Sequence, residues 1–394
     1  MNNARHYENP VLFTSAGRIG VIEADGTSEK YFDFGVPGQA SWGIGSVFKD
    51  NKKIVLMSYE DTTISKMVAG LVISHVWIYD LSDGTIEEIL TEGRTSNYIG
   101  CAGIMDDGRI LWTEWIEGEN RLFISGLSGK GRYELTTKGG GFVYGIRLSP
   151  DSRRVSFHIT CSDDPKYGIG PYSINTIGTD GSNRTFVAGR PGHICFEPVW
   201  SPDGEWLAYV DCYEEKDSAH FAADICLGRP DGSEHRSVTE NQSNWFGTSY
   251  GTEKNRGNGS NGTLWSPDGK ELIYTRLIPG SHADFYFDAG LPNHEEHVYK
   301  PELARGGTQI CLINPFTYEI KELTEKQEGK WECHACYSQG GTHIIYRRSH
   351  VGNGSELWIM EKDGKNQRLL TKGYENKGLW GYGFANNRLE IIKN

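Results

Sequence analysis

One short turn sequence, Ser-Pro-Asp-Gly, recurs between apolar runs, and this repetition constrains the chain more than any other feature. Ser201-Pro202-Asp203-Gly204 separates FEPVW from EWLAYV, and Ser266-Pro267-Asp268-Gly269 separates GTLW from KELIYT. Ser149-Pro150-Asp151 stands between VYGIRL and SRRVSFHI. Looser copies lie at Lys49-Asp50-Asn51, Asp106-Asp107-Gly108, Gln339-Gly340-Gly341 and Asn386-Asn387. Proline presets φ, and Asp, Asn or Gly tolerates the bend, so each copy marks a hairpin. A second pattern follows each copy: an apolar run, a turn such as Asp-Gly, and a run often closing on Leu-Thr. VWIYDLSDGTIEEILT, DICLGRPDGSEHRSVT, QICLINPFTYEIKELT and ELWIMEKDGKNQRLLT are examples. Each repeat therefore predicts four antiparallel strands, a to d, at a period of about 45 to 70 residues.

Six full units are expected, over about 42–97, 98–142, 143–190, 193–245, 260–325 and 332–375. The tail LWGYGFANNRLEIIK supplies only a first hairpin and the head RIGVIEADGTSEKYFDF only a second, so together they complete a seventh unit. The predicted fold is all-β, a single seven-bladed β-propeller domain over 1–394 whose last blade is closed by N- and C-terminal strands. An open β-sandwich leaves the split repeat unexplained. Fifty glycines in 394 residues, with 12% aromatics, suit short strands joined by tight turns.

The formal charge of -12 disfavours broad binding to nucleic acid or to an anionic membrane, although a few arginines in a cleft still suit a small anionic ligand. No apolar run is long enough to span a bilayer. The start, MNNARHYENPVLF, has no apolar signal region. A cytoplasmic location is expected if that start is native, and a secreted or periplasmic one if a signal peptide has been removed. The eight cysteines are scattered, as expected of reduced thiols. Monomer and homodimer are both compatible with the sequence.

In such a blade the a–b and c–d turns lie on one side, and the b–c and d–a connections on the other. The first set is short here; the second is long and rich in His, Arg and aromatics, and long loops on a rigid scaffold carry function. Two histidines open first strands, His193 in GHICFEP and His334 in WECHAC, and Tyr144 is an aromatic counterpart. The connection NWFGTSYGTEKNRGNGSNG holds Trp245, Tyr250, Arg256 and Asn261. His220 lies in a b–c connection, Arg276 ends a second strand, and the long loop after it carries His282, His294 and His297.

At GHICFEPVWSPDGEWLAY the chain resembles the β-propeller polysaccharide lyases, both the oligogalacturonate lyase family and the ulvan lyase propellers. The likeness covers the whole chain at blade level and about 190–345 at motif level. Oligogalacturonate lyases bind a divalent metal through histidines, and His334 matches one of these by position. Where that family has a His-x-His pair this chain has LWGYGF, and Gly262 stands where its general-base histidine falls. Ulvan-type lyases use histidines, a tyrosine and an arginine, and the order His193, His220, Tyr250 or Asn261, then Arg276 is compatible with theirs. The resemblance implies cleavage of a uronate-containing glycan by β-elimination.

That chemistry needs a cation on the carboxylate, a base for the C5 proton and an acid for the departing O4. Arg276 suits the first role, because a guanidinium grips a carboxylate with two parallel bonds. His193 or His220 suits the base, and Tyr250 the acid or the base. Trp245, Arg256, Asn261, His334 and Tyr144 are candidate substrate contacts. Structural readings stand beside these: His193 fixing a turn, His220 solvated, Arg276 paired with Asp284 or Glu271, Tyr250 packed between blades, and His158 and His75 structural. Cys333, His334 and Cys336, with His294 and His297, are candidate ligands for one divalent metal such as Zn, Mn or Ca. No organic cofactor is expected. The alternatives are a non-catalytic TolB-like binding propeller and a glycoside hydrolase using carboxylates such as Glu114, Asp211 and Glu214.

Overall fold

The computed structural model describes residues 10–15, 17–48, 52–60, 71–160, 172–214, 221–240, 242, 262–282, 285–287, 297–299, 305–338, 340–349, 355–374 and 390–391. These residues are all-β, with no helix among them, and hence none long and apolar enough to cross a membrane.

The strands begin with β1 (Pro10–Ser15), β2 (Arg18–Glu23) and β3 (Lys30–Tyr31). There follow β4 (Ser41–Val47), β5 (Lys53–Tyr59), β6 (Ser74–Asp80) and β7 (Ile86–Ile89), then β8 (Ile99–Ile104), β9 (Ile110–Ile116), β10 (Glu119–Ser125) and β11 (Tyr133–Glu134). Next are β12 (Phe142–Leu148), β13 (Arg154–Thr160), β14 (Tyr172–Gly178) and β15 (Thr185–Ala188), then β16 (His193–Trp200), β17 (Leu207–Glu214), β18 (Phe221–Gly228) and β19 (His235–Ser237). The chain continues through β20 (Leu264–Trp265), β21 (Leu272–Leu277), β22 (Phe285–Phe287), β23 (His297–Tyr299), β24 (Thr308–Ile313) and β25 (Ile320–Glu322). The last are β26 (Trp331–Tyr337), β27 (His343–Ser349), β28 (Ser355–Glu361), β29 (Arg368–Tyr374) and β30 (Glu390–Ile391).

Strands β4–β7, β8–β11 and β26–β29 each pair in sequence order as a four-stranded sheet, and β20, β21, β24 and β25 form another. The sets β12–β15 and β16–β19 keep the same internal order and are joined by one parallel bridge, Tyr172 to Ile194. The remaining sheet runs β3-β2-β1-β30 and joins the two ends of the chain. Its composition differs from the expected split into two hairpins. Among the described residues the head supplies three strands, because Pro10–Ser15 is itself a strand in full register with Arg18–Glu23, and the tail supplies β30; the rest of the expected tail hairpin lies outside the described residues. The run PVLFTS looks like a leader to the hairpin when read alone; its pairing partner at the other end of the chain makes it a strand. The long loop after Arg276 also differs from a plain loop, since β22 and β23 pair within it.

Most strands are apolar without alternation, and the packing explains why. In β5, Ile54 and Leu56 join a cluster with Leu12, Ile19 and Val21, while Val55 and Met57 join one with Ile110 and Trp112. Successive side chains point to opposite faces, so each sheet buries both faces against different neighbours. Clusters of the same kind link Leu111 to Val155, Ile174 to Leu207, Val210 to Tyr274, Ile273 to Ile344, and Ile345 to Phe13. Each consecutive pair of sheets thus shares an apolar layer, including the pair formed by β26–β29 and the terminal strands.

The repeated turn is built as its sequence requires. Ser201 Oγ donates to Asp203 Oδ1 at 2.5 Å and accepts the Trp206 N–H at 2.9 Å, while Gly204 takes φ +74°. Ser266 and Asp268 repeat the bond at 2.6 Å, with Gly269 at φ +70°. Only glycine enters that region at little cost. The serine hydroxyl holds the Asp203 carboxyl below the usual carboxylate range, as it does for Asp268 and Asp151.

Candidate active site

The segment Arg190-Pro191-Gly192-His193 is a β-turn. Proline at its second position fixes φ, Gly192 takes φ +78°, and the His193 N–H donates to the Arg190 carbonyl at 3.1 Å. This is the geometry of a type II turn, which needs φ > 0 at the third position. The turn brings Arg190 and His193 together at the start of β16. Strand β17 then passes antiparallel, with Cys195 opposite Asp211 and His193 opposite Tyr213.

Asp211 ties the group together. Its Oδ1 lies 2.8 Å from His193 Nδ1, and its Oδ2 accepts from Arg190 Nη2 at 3.2 Å. The Asp211 side chain is 10% exposed and that of His193 18%, whereas that of Arg190 is 62% exposed. The imidazole is therefore oriented from behind, through one nitrogen, by a nearly buried carboxylate. Tyr213 lies beside it, with ring centroids 5.0 Å apart. Its hydroxyl donates to Asp224 Oδ2 at 3.1 Å, and Thr239 donates to Asp224 Oδ1 at 2.8 Å. A polar row thus crosses β16 to β18 on one face and reaches Thr239 beyond β19. Burial pushes the Cys195 thiol in this row well above its ordinary range, and Asp211 adds to the effect, so Cys195 is no thiolate nucleophile.

A second group lies on the first strands of neighbouring sets. Strands β12, β16 and β26 each carry a bulge, and Gly145, Glu197 and His334 occupy equivalent places in them with φ of +58°, +54° and +53°. Positive φ at Glu and His is uncommon and marks sites where the fold holds a side chain in a set direction. Glu197 pairs with Arg147 across two sets at 3.5 Å. A Cβ on its neighbour Gly262 would come within 3.3 Å of the Glu197 Cβ, a tight approach that any side chain there would have to relieve by a small shift of Glu197.

His158 is structural, as expected. It is buried, its Nδ1 accepts the Glu197 N–H at 3.4 Å, and a Cβ on Gly145 would meet it at 2.5 Å. Desolvation drives its pKa down to about 4, with Arg147 acting in the same sense and Glu197 opposing. An unfolded imidazole takes a proton near 6.5, so the unfolded state binds more protons between pH 6.5 and about 4. Stability therefore falls as pH drops through that window, by on the order of 3 kcal/mol. His158→Gln should flatten this slope when denaturant midpoints are compared at pH 7 and 4.5; an unchanged slope would refute the assignment. His75 is likewise held, between Glu60 at 3.1 Å and Glu88 at 2.7 Å.

The remaining expected residues fall into three groups. Arg276 is paired: it donates to Glu322 Oε1 at 3.2 Å, on β25 of its own sheet, while Asp284 lies outside the described residues. The sequence offered Glu322 no obvious claim, since it lies 46 positions away and only strand pairing brings it close. Tyr144 stacks with Phe142 and His158 in the aromatic layer of its set. His220, Tyr250, Trp245, Arg256, Asn261 and His294 lie outside the described residues, as does the side chain of His297.

Among the described residues Cys333, His334 and Cys336 form no metal-binding group, and the other expected ligands, His294 and the side chain of His297, lie outside them. His334 Nδ1 lies 3.2 Å from Cys333 Sγ, but that sulfur also receives Arg347 Nη2 at 3.0 Å. A guanidinium on the sulfur opposes a second cation, and burial raises the Cys333 thiol above its ordinary range although Arg347 acts in the opposite sense. Cys336 packs into the apolar cluster around Phe13 and Ile345. Among the described residues no three His, Cys, Asp or Glu side chains form a metal-binding group. Two of the carboxylates weighed for glycoside hydrolysis are also spoken for. Glu114 is fully buried and accepts from the Thr95 and Ser96 amides and from Arg132, and Asp211 serves His193 and Arg190. The side chain of Glu214 is outside the described residues.

Sequence reasoning missed Arg190. Its signal was present, because Arg-Pro-Gly-His spells a turn that places its first and fourth residues side by side.

No protein-family model matches the chain. In sequence it is similar to the uncharacterized peptidase YuxL of Bacillus subtilis strain 168, 28% identical over 160 residues, which make up 34% of this chain and 20% of that protein. It is also similar to the Tol-Pal system protein TolB of Haemophilus influenzae strain PittEE, 38% identical over 61 residues, 16% of this chain and 14% of that one. The matches thus span well under two thirds of either relative. In structure it is similar to an oligogalacturonate lyase in complex with manganese, with TM-score 0.56 and 14% identity over 97% of this chain and 90% of that one. A puromycin hydrolase gives TM-score 0.55 and 12% identity over 95% and 55% of the two chains, and a prolyl endopeptidase 0.53 and 12% over 84% and 43%. Proteins of such different activities share the scaffold alone, and together they place this chain among the β-propellers.

Proposed function

We propose that the chain is a lyase that cleaves a uronate-containing oligosaccharide or polysaccharide by β-elimination, on a single propeller of seven blades closed by the chain termini. The sheet order and the apolar layers between consecutive sheets support the blade count. The observation that carries the function is the His193–Asp211 pair at 2.8 Å. A carboxylate on Nδ1 fixes the tautomer and leaves Nε2 to accept a proton. His193 Nε2 takes the C5 proton; the freed electron pair becomes the C4–C5 double bond as the C4–O4 bond breaks. The departing O4 is protonated by an acid, for which His220 and Tyr250 are the candidates. Asp211 acts on the reaction through His193 and is a positioning residue.

No step is routed through a metal, since the described candidate ligands do not fit one. The whole-chain likeness to a structure named as an oligogalacturonate lyase supports the reading as far as scaffold goes. The test is ultraviolet absorbance from a C4–C5 unsaturated uronate, measured on galacturonan, ulvan and rhamnosyl-glucuronate substrates. Product that vanishes in His193→Ala is expected; no product from any of these substrates would count decisively against a lyase. The short match to TolB favours a second reading, a non-catalytic binding propeller. That reading predicts binding to a partner without turnover.

A further inference from the structure

We propose that Arg190, rather than Arg276, is the cation that receives the acidic group of the ligand, and that this group is the carboxylate of a hexuronate. The proposal rests on the lyase reading for the role of His193 and deepens it by assigning the substrate's anchor.

The first argument is connectivity in the ligand. The carboxyl carbon of a hexuronate is bonded directly to C5, the carbon that loses its proton. A cation on the carboxylate and a base at C5 must therefore be immediate neighbours. Arg190 and His193 are joined by a hydrogen-bonded turn and share the two oxygens of Asp211, at 3.2 and 2.8 Å. Arg276 is on β21 of another sheet and is drawn to Glu322 on β25, which also holds Lys326 at 2.8 Å.

The second argument is availability. A guanidinium has five N–H donors in a planar fork. Arg190 spends one on Asp211, and its side chain is 62% exposed. It thus retains donors for a second carboxylate on the solvent side. Two arginines of the β26–β29 sheet are by contrast buried and committed: Arg348 is bound to Glu332, and Arg347 lies against Cys333.

The third argument is charge. A carboxylate gives Arg190 an ionic, two-pronged partner, whereas its methyl ester offers only a neutral carbonyl oxygen. As His193 takes the C5 proton, the negative charge left on the substrate spreads onto the same carboxylate, beside the same guanidinium. Arg190 therefore favours an acid group next to the scissile C–H over its ester.

Calorimetric binding to the full chain tests this, with galacturonate trisaccharide and rhamnosyl-glucuronate disaccharide as probes, each as free acid and as methyl ester. Arg190→Gln should weaken binding of the acid by roughly 10- to 100-fold and leave binding of the ester unchanged. Arg190→Lys should recover part of the loss, because the charge returns without the fork. Arg276→Gln should bind as the unaltered protein does. The proposal is overturned if Arg190→Gln binds the acid undiminished, if Arg276→Gln loses it, or if the unaltered protein binds neither acid or prefers the ester. The two readings fail separately. Acid binding that depends on Arg190, with no unsaturated product, keeps the anchor and removes the lyase; unsaturated product formed at full rate by Arg190→Gln keeps the lyase and removes the anchor.

Discussion

Asp211→Asn is expected to lower kcat by about 10³- to 10⁴-fold with little change in KM, in a protein that still folds. The size of the effect comes from the tautomer. Arg190 donates to one oxygen of Asp211, and His193 Nδ1 lies on the other. In the asparagine variant the arginine retains the remaining carbonyl oxygen, which turns the amide NH2 toward His193. An NH2 can only donate, so Nδ1 becomes the acceptor and the proton moves to Nε2, the nitrogen that must be empty in the proposed base. Steady-state kinetics on the uronate substrate, together with nitrogen chemical shifts of the His193 ring, measure this directly. A folded variant with normal kcat, or with the Nδ1–H tautomer retained, would rule out the positioning role. A purely structural role for Asp211 would instead appear as lost stability with an unaltered tautomer.

The largest expected effect on stability is at Glu114, far from that chemistry in role. Its carboxylate is fully buried and accepts from two backbone amides, from the Thr95 hydroxyl at 3.1 Å and from Arg132. Arg132 in turn lies over the Phe123 ring at 4.8 Å. Glu114→Ala leaves the two amides and a half-buried guanidinium without their acceptor. Breaking one side of such a pair costs about 3–5 kcal/mol. The shift in denaturant midpoint, at constant m-value, measures the loss. A cost below about 1 kcal/mol would mean that water replaces the carboxylate, as it does at exposed pairs. Glu114→Gln keeps the shape and an acceptor oxygen, and should cost less.

Much of the fold was legible because its information is local. The Ser-Pro-Asp-Gly turns declare themselves, since Ser201, Asp203 and Gly204 satisfy one another within six residues. The start of one first strand was placed at His193, where β16 begins, whereas His334, expected to open its strand likewise, lies inside β26 at the bulge position that Glu197 holds in β16. The expected two-and-two split of the terminal sheet failed at β1, whose partner β30 lies at the far end of the chain. The site was legible only in part. His193 was placed at the opening of its strand by its position in the repeat, while Glu322, the partner of Arg276, is not local to it.

The sequence by itself determined the strand-and-turn grammar and the turn that sets Arg190 beside His193. Both depend on residues within a few positions of each other, where backbone sterics and side-chain alternation decide. Tertiary structure alone decided which carboxylate serves which cation. Asp211 reaches His193 through the register of β16 against β17, with Cys195 opposite Asp211. Glu322 reaches Arg276 through the pairing of β21, β24 and β25. Register is set by the summed packing of whole strands, so a contact across it belongs to no local stretch of chain.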